Sequence, residues 1–310
     1  MRHFGLILAA WLIAVLGYSF SWAREQKETP DFNVRVDLVS VDVEVLDQKG
    51  NPIVDLGRDD FVVKENGTAM EISNFARLSD RPVSLVIVLD TSAIPQAKLR
   101  TAKQFIFQLM HLIGREDELC MYTFDNDDAY LEQGFTRDRA KLIAALDNIG
   151  VPSGRKHTLL NDLFGTTPQT GLGIDFGLAA AQKGVNGKKA LVVISDRYKG
   201  LGPATVEHVE ATGCTFLTLG FSNKANAIMS LGGDGISKRQ LMRASGGRAF
   251  SGDNGDIGEV SRSVAYSLKN HYHIGYLTKV PGPAERRSIE VLVPGRDCRI
   301  YARRSYISPR

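Results

Sequence analysis

The chain has 310 residues, with 38 Lys+Arg against 35 Asp+Glu, 43% hydrophobic residues, 30 Gly and 11 Pro. That balance excludes a disordered, collagen-like or disulfide-scaffold polypeptide, and at about 150 residues per domain it allows about two domains with a sizeable core in at least one. A formal charge of +3 spread over the whole chain points away from nucleic acid, because phosphate recognition needs a concentrated basic face. The short basic patches Arg286-Arg287 and Arg303-Arg304 read as solvated strand ends.

At the N-terminus, Arg2 and His3 precede the apolar run FGLILAAWLIAVLGYSF, which ends at Ser21-Trp22-Ala23 before the charged Arg24-Glu25. This is the pattern of a signal peptide over residues 1–23 with a small-x-Ala cleavage site, so the chain is expected to be exported, to the periplasm, the medium or the cell surface. The alternative is a retained anchor, since the run from Phe4 to Phe20 approaches the roughly 17 apolar residues of a spanning helix. No later stretch is long and apolar enough to span a bilayer. Residues 24–32 form a polar tether. The three cysteines, Cys120, Cys214 and Cys298, are odd in number and each lies in an apolar, strand-like run, so they read as core thiols, neither a disulfide framework nor a metal site.

Residues 33–81 read as an all-β block. In FNVRVDLVSVDVEVLD the apolar positions run through Val34, Val36 and Leu38 and then change phase to Val39, Val41, Val43 and Val45, which predicts a bulge at Leu38-Val39. FVVKENGTAMEISNFARL gives two further strands around Asn66-Gly67, the strongest short hairpin signal. Asn66-Gly67-Thr68 also fits an N-glycosylation acceptor, but the turn accounts for it without a sugar.

From residue 82 to 270 continuous apolar strands alternate with amphipathic helices, the pattern of a parallel sheet covered on both faces. VSLVIVLD, ELCMYTFD, KALVVISD, CTFLTLGF and GRAFSG are the strands, with AYLEQGF a shorter one. Helices are expected at AKLRTAKQFIFQLMHLIG, at DRAKLIAALDNI with Thr136 as N-cap, and at DFGLAAAQKG, ATVEHVEATG, SKRQLMRASG and DIGEVSRSVAYSLKNH. Residues 271–310 return to β, with HYHIGYLTK, RRSIEVLVP and CRIYARRSYI as strands. Two or three strands alone bury little surface. The two terminal blocks are therefore expected to pair into one small β-sandwich with the α/β unit inserted between them.

In an open parallel sheet, ligands bind outside the carboxyl ends of the strands, where the strand order reverses. Two strand ends carry carboxylates there: Asp90, followed by Ser92, and Asp196, preceded by Ser195. Hard oxygen ligands converging at one edge suit a small divalent ion. The stretches DTSAI at 90–94 and VISDRYKG around Asp196 resemble a von Willebrand factor type A domain of the bacterial exported group. So do the flanking segments DLVSVDVEVLDQKGNPIVDLGRDDFVVKENG and YHIGYLTK with SIEVLV, and together these cover nearly the whole chain after the leader.

This resemblance implies an α/β fold with a doubly wound, mainly parallel sheet, Rossmann-like and of the von Willebrand A type, plus the small all-β domain built from N- and C-terminal strands. It also implies a metal-ion-dependent adhesion site with Asp90, Ser92, Thr158 and Asp196 as ligands. Thr170 is the alternative to Thr158. Ile94 stands where the family's second Ser belongs, and Arg197 where a Gly usually follows the last Asp. The ion would be Mg²⁺, or Mn²⁺ or Ca²⁺, and its open position would take a carboxylate supplied by a protein partner.

The implied function is a non-enzymatic binding or adhesion module. Its alternatives are a structural or assembly component of the cell envelope with a non-functional metal site, and a phosphoryl-transfer or hydrolase enzyme. Three further signals are set aside. Gly171-x-Gly173-x-x-x-Gly177 follows no strand, as a dinucleotide fingerprint must. Residues 125–128 (DNDD) lack the Gly and Glu of a calcium loop. His271 and His273 share one strand face but have no third ligand, and read as an edge-strand pair.

Overall fold

The computed structural model describes residues 35–78, 81–125, 129–150, 170–198, 201–221, 238–253, 255–269, 271–280 and 284–308. The expected leader and tether at 1–32 and the candidate ligand Thr158 lie outside them. The chain from Val36 onward is one unit, built on three sheets.

Strands β1 (Arg35–Leu46), β2 (Val62–Glu65), β3 (Thr68–Met70) and β4 (Ile72–Leu78) come first, with a short 3-10 turn at Arg58–Asp60. Asn66 and Gly67 both have positive φ, 47° and 82°, the twist a two-residue primed turn needs. The register pairs Glu65 with Thr68 across it. Across Leu38-Val39 the exposure alternates without a slip, with Val36 and Leu38 more than half exposed and Val39, Val41 and Val43 buried, and only toward the end of β1 are Glu44 and Leu46 buried too. The change of phase in the sequence therefore marks apolar residues on both faces of one continuous strand, where a bulge was expected.

Next come β5 (Val83–Asp90), α1 (Gln96–Leu112), β6 (Glu118–Phe124), β7 (Ala129–Thr136), α2 (Arg139–Asn148) and α3 (Thr170–Ala181). They are followed by β8 (Lys188–Ile194), α4 (Pro203–Thr212), β9 (Thr215–Gly220), α5 (Lys238–Ser245), β10 (Ala249–Ser251) and α6 (Ile257–Lys269). Their six-stranded sheet has the order β10-β9-β8-β5-β6-β7. The pairs β10-β9, β9-β8, β8-β5 and β5-β6 are parallel and only β7 runs antiparallel, at the edge. From β5 the chain steps outward to β6 and β7 and then returns to the other side of β5 to lay down β8, β9 and β10. The strand order thus reverses between β5 and β8, and the crevice at their carboxyl ends is where this architecture places ligands.

Every residue of β5 is buried, as a central strand covered on both faces requires. Its alternation sorts the core into two. Leu85, Ile87 and Leu89 meet α1, α2 and α6 through Phe105, Leu142 and Val264. Val86 and Val88 meet α3, α4 and α5 through Leu178, Val209 and Leu241. The helix expected from Asp175 begins five residues earlier, at Thr170. Gly173 and Gly177 lie one turn apart in α3, and a Cβ on Gly177 would stand 2.6 Å from Leu191 Cδ1 and 3.0 Å from Val88 Cγ2. These glycines let α3 lie close on the sheet. Another correction falls at α2, whose N-cap is Asp138 and not Thr136. The Asp138 side chain accepts from the Ala140 and Lys141 amides, while the Thr136 hydroxyl accepts from the Asp138 amide.

Strands β11 (His271–Val280), β12 (Arg286–Leu292), β13 (Arg299–Ala302) and β14 (Ser305–Ile307) complete the chain. They interleave with the first four in two four-stranded sheets, β13-β1-β11-β4 and β14-β12-β2-β3. One hydrophobic cluster draws from both, with Val41, Val43 and Tyr276 from the first and Val63, Ile289 and Tyr306 from the second. β11 is an inner strand, so His271 and His273 are not an edge pair.

The basic patches are also only half solvated. Arg287 is buried against Glu65 at 2.9 Å, inside a cluster where Tyr276, Tyr306 and Thr278 hydroxyls also reach the Glu65 carboxylate. Arg303 donates to the Ser40 carbonyl at 2.5 Å. Cys120 and Cys214 are buried as expected, whereas Cys298 is only partly so. No helix among the described residues is long and apolar enough to cross a membrane.

Candidate functional site

β5 and β8 end side by side because Val83–Leu89 and Lys188–Ile194 pair residue for residue. Their last side chains then meet. Asp90, 2% exposed, turns its Oδ1 onto the chain that follows it, accepting from the Ser92 amide (3.1 Å), the Ser92 hydroxyl (2.8 Å) and the Ala93 amide (2.9 Å). This is the local turn that an Asp at a strand end favours. The other oxygen, Oδ2, accepts from Ser195 Oγ at 2.7 Å, tying β5 to β8. Asp196 reaches the next strand, its Oδ1 accepting from the Phe221 amide at 2.5 Å. Thr91 donates from its amide to the Phe124 carbonyl at 2.9 Å, which ties the same loop to β6.

Asp90, Ser92 and Asp196 therefore lie together on one edge of the sheet. Thr170 is the first residue of α3. Ile94 is buried in the core on the α1 side, so it contributes hydrocarbon packing and no oxygen at this position. The residue that sequence reasoning noticed only as a departure is Arg197. It is exposed, and its Nη2 donates to the Ser92 carbonyl at 2.7 Å and to the Ser92 hydroxyl at 3.3 Å. The Ser92 hydroxyl thus donates to Asp90 while receiving from Arg197, and a guanidinium stands over the Asp-x-Ser turn.

A Mg²⁺ ion wants about six oxygens at roughly 2 Å. Here both Asp90 oxygens are occupied by protein donors, Ile94 supplies none, and the cation next to Ser92 is Arg197. Among the described residues no group of three or more His, Cys, Asp or Glu side chains could hold a metal ion. What the described part of the site assembles is a buried carboxylate, two serines and a fixed arginine.

No family model matches the chain, and no curated protein matches it. Similar solved structures include an aerotolerance-related membrane protein from Bacteroides fragilis NCTC 9343, 20% identical over 60% of this chain and 96% of that one, with a TM-score of 0.41. A von Willebrand factor type A protein from Catenulispora acidiphila is 12% identical over 89% of this chain and 72% of that one, with a TM-score of 0.43. The vWF domain of the type V pili tip protein Mfa5 from Porphyromonas gingivalis is 11% identical over 63% of this chain and 98% of that one, with a TM-score of 0.41. In its own strand order, parallel core and single antiparallel edge strand, the chain has the doubly wound α/β sheet that its resemblance to von Willebrand factor type A domains implies.

Proposed function

We propose that the chain is a non-enzymatic, exported recognition module. In this reading an A-type unit over residues 82–270, framed by the β blocks at 33–81 and 271–310, meets a protein partner at the carboxyl edge of its sheet, around Asp90, Ser92 and Asp196. The observation that carries it is the Arg197 contact to Ser92. An exposed guanidinium held against the Asp-x-Ser turn, at the switch point of the sheet, puts positive charge at this edge, which attracts a carboxylate on the partner. It supplies the charge that a bound ion would otherwise bring. The acidic group on the partner is then recognised without metal.

A second reading is supported by the Asp90–Ser92 pairing, the part of the adhesion motif that the sequence retains. In it Mg²⁺ or Mn²⁺ is held by Asp90, Ser92, Thr158 and Asp196 after Arg197 swings away. One experiment separates the two: capture of partner from the native envelope by wild type, Asp90→Ala and Arg197→Glu, each with and without EDTA, alongside calorimetry with MgCl₂ and MnCl₂. Capture that survives EDTA but is lost in Arg197→Glu, with no metal heat, is the expected result. EDTA-sensitive capture and metal heat that vanishes in Asp90→Ala would establish the ion instead. Capture indifferent to both substitutions would move recognition off this edge and leave a structural role in the envelope.

A further inference from the structure

The opposite ends of the same strands carry a second cluster of charge. A cavity of about 330 Å³ lies at the amino ends of β8 and β9, where the six-stranded sheet meets β1, β11 and the turn after β13. Its ionisable lining is Arg81, Lys188, Lys189, Arg303, Asp42 and His273. It reaches the surface at Gly187 and Gly213, both exposed. β8 separates Lys188 from Ile194 by six residues, about 20 Å at the rise of a strand. The cavity is therefore distinct from the edge that holds Asp90.

The balance of charge inside it is lopsided. Asp42 is the one carboxylate in the lining, and it is already paired with His273 at 2.8 Å. Among the described residues none of Arg81, Lys188, Lys189 and Arg303 has a carboxylate within 4 Å. Lys189 donates to the Gly184 carbonyl and Arg303 to the Ser40 carbonyl, both neutral acceptors. Lys188 is 4% exposed, and among the described residues its ammonium has one hydrogen-bond partner, the ring nitrogen His271 Nδ1 at 2.9 Å. The Arg303 Nε is buried with no acceptor. Asp42 partly offsets Lys188 and Arg303, but four cations face that one lining carboxylate, and their mutual repulsion grows as solvent is excluded. An anion in the cavity reverses the sign of that term.

We propose that this cavity is a binding site for a phosphate-bearing small molecule. Two arginines and two lysines around one pocket match the several acceptor oxygens and multiple charge of a phosphate group, and the volume sits at the lower end of small-ligand pockets. Burial draws the Lys188 ammonium down to about 8, against the opposing pull of Asp42, and an incoming dianion would further favour the charged form of this side chain.

The test is calorimetric titration of the full chain with pyrophosphate, inorganic phosphate, sulfate and citrate, at one ionic strength set with NaCl. Saturable one-to-one binding of pyrophosphate is expected, weakened about tenfold by Arg81→Gln and by Lys189→Gln, since a charge-assisted hydrogen bond is worth about that factor. These two residues are part-exposed, so their variants keep the fold even where Lys188→Met fails to. Arg197→Gln, at the far end of the strands, should bind pyrophosphate as wild type does. No saturable heat, equal affinity in wild type and both rim variants, or tighter binding of sulfate or citrate than of either phosphate would overturn the assignment.

Discussion

At the scale of single residues, the candidate site is first of all a structural knot. Asp90 accepts from two residues of its own loop and from Ser195 across the switch point. Leaving a buried donor or acceptor without its partner costs about 1–3 kcal/mol. Ser195→Ala removes one donor, whereas Asp90→Ala strands several at once. Urea unfolding should therefore place Asp90→Ala well below Ser195→Ala and both below wild type. Equal midpoints would mean that Asp90 does not organise this edge. The cysteines offer a second measurement. Burial raises the thiols of Cys120 and Cys214 to about 12, while Cys298 is only partly buried. Since the thiolate is the reactive form, a disulfide reagent at pH 8 should titrate Cys298 fast in the native chain and all three thiols only in denaturant. Fast reaction of Cys120 or Cys214 would contradict their placement in the core.

At the scale of elements, close packing decides between competing effects at glycine. Replacing a helical Gly by Ala gains about 1 kcal/mol of helix propensity, but in α3 the new Cβ of Gly177→Ala would press on Leu191 and Val88, and overpacking a core costs about 1–3 kcal/mol. The clash wins, so Gly177→Ala lowers thermal stability. Gly247→Ala should be worse still, because its Cβ would fall 1.7 Å from the Phe216 carbonyl oxygen, and backbone cannot swing aside as a leucine methyl can. Melting temperatures ranked in the reverse order would refute this packing.

Much of the element order was legible because a strand buried on both faces reads as VSLVIVLD, and a two-residue turn with positive φ reads as Asn66-Gly67. The early start of α3 was hidden because TGLG resembles a loop until the sheet beneath it is known. Arg197 was visible only as a misfit to a motif, since nothing local says that its guanidinium will reach Ser92, 105 residues away. Arg287 and Arg303 look solvated in sequence because their acceptors lie on other strands.

At the scale of the whole molecule, the six-stranded α/β layer is joined to the β sheets by charge as well as by hydrocarbon. Glu44 of β1 takes Arg248 at 2.9 Å and the Ser267 hydroxyl at 2.8 Å. Glu210 of α4 takes Arg286 at 2.9 Å and the Ser305 hydroxyl at 2.6 Å, and Lys188 of β8 meets His271 of β11 at 2.9 Å. Because β11, β12 and β13 pair with β4, β2 and β1, deleting residues 271–310 should unfold the N-terminal strands too. Retained amide protection in β1 and β2 of the truncated chain would show them to be independent.

Intact, this joint should respond to pH. Burial, reinforced by Lys188, holds His271 well below its ordinary 6.5. The folded state thus keeps His271 neutral where the unfolded chain takes up a proton, so its contribution to stability is full above about pH 6.5 and is lost as pH falls below that value. The loss is at most about 1.4 kcal/mol per pH unit for one such group. Glu44 works the other way, because burial outweighs Arg248 and raises its carboxyl. The folded state then holds its proton more tightly than the unfolded chain, and its contribution fades as pH rises through the folded value. Wild type minus His271→Gln removes the Glu44 term, which both proteins share. Unfolding free energies measured from pH 7 to 5 should therefore fall more steeply in wild type than in His271→Gln. Parallel curves would mean that the imidazole is protonated at this joint in the folded chain, and that Lys188 and His271 do not meet there.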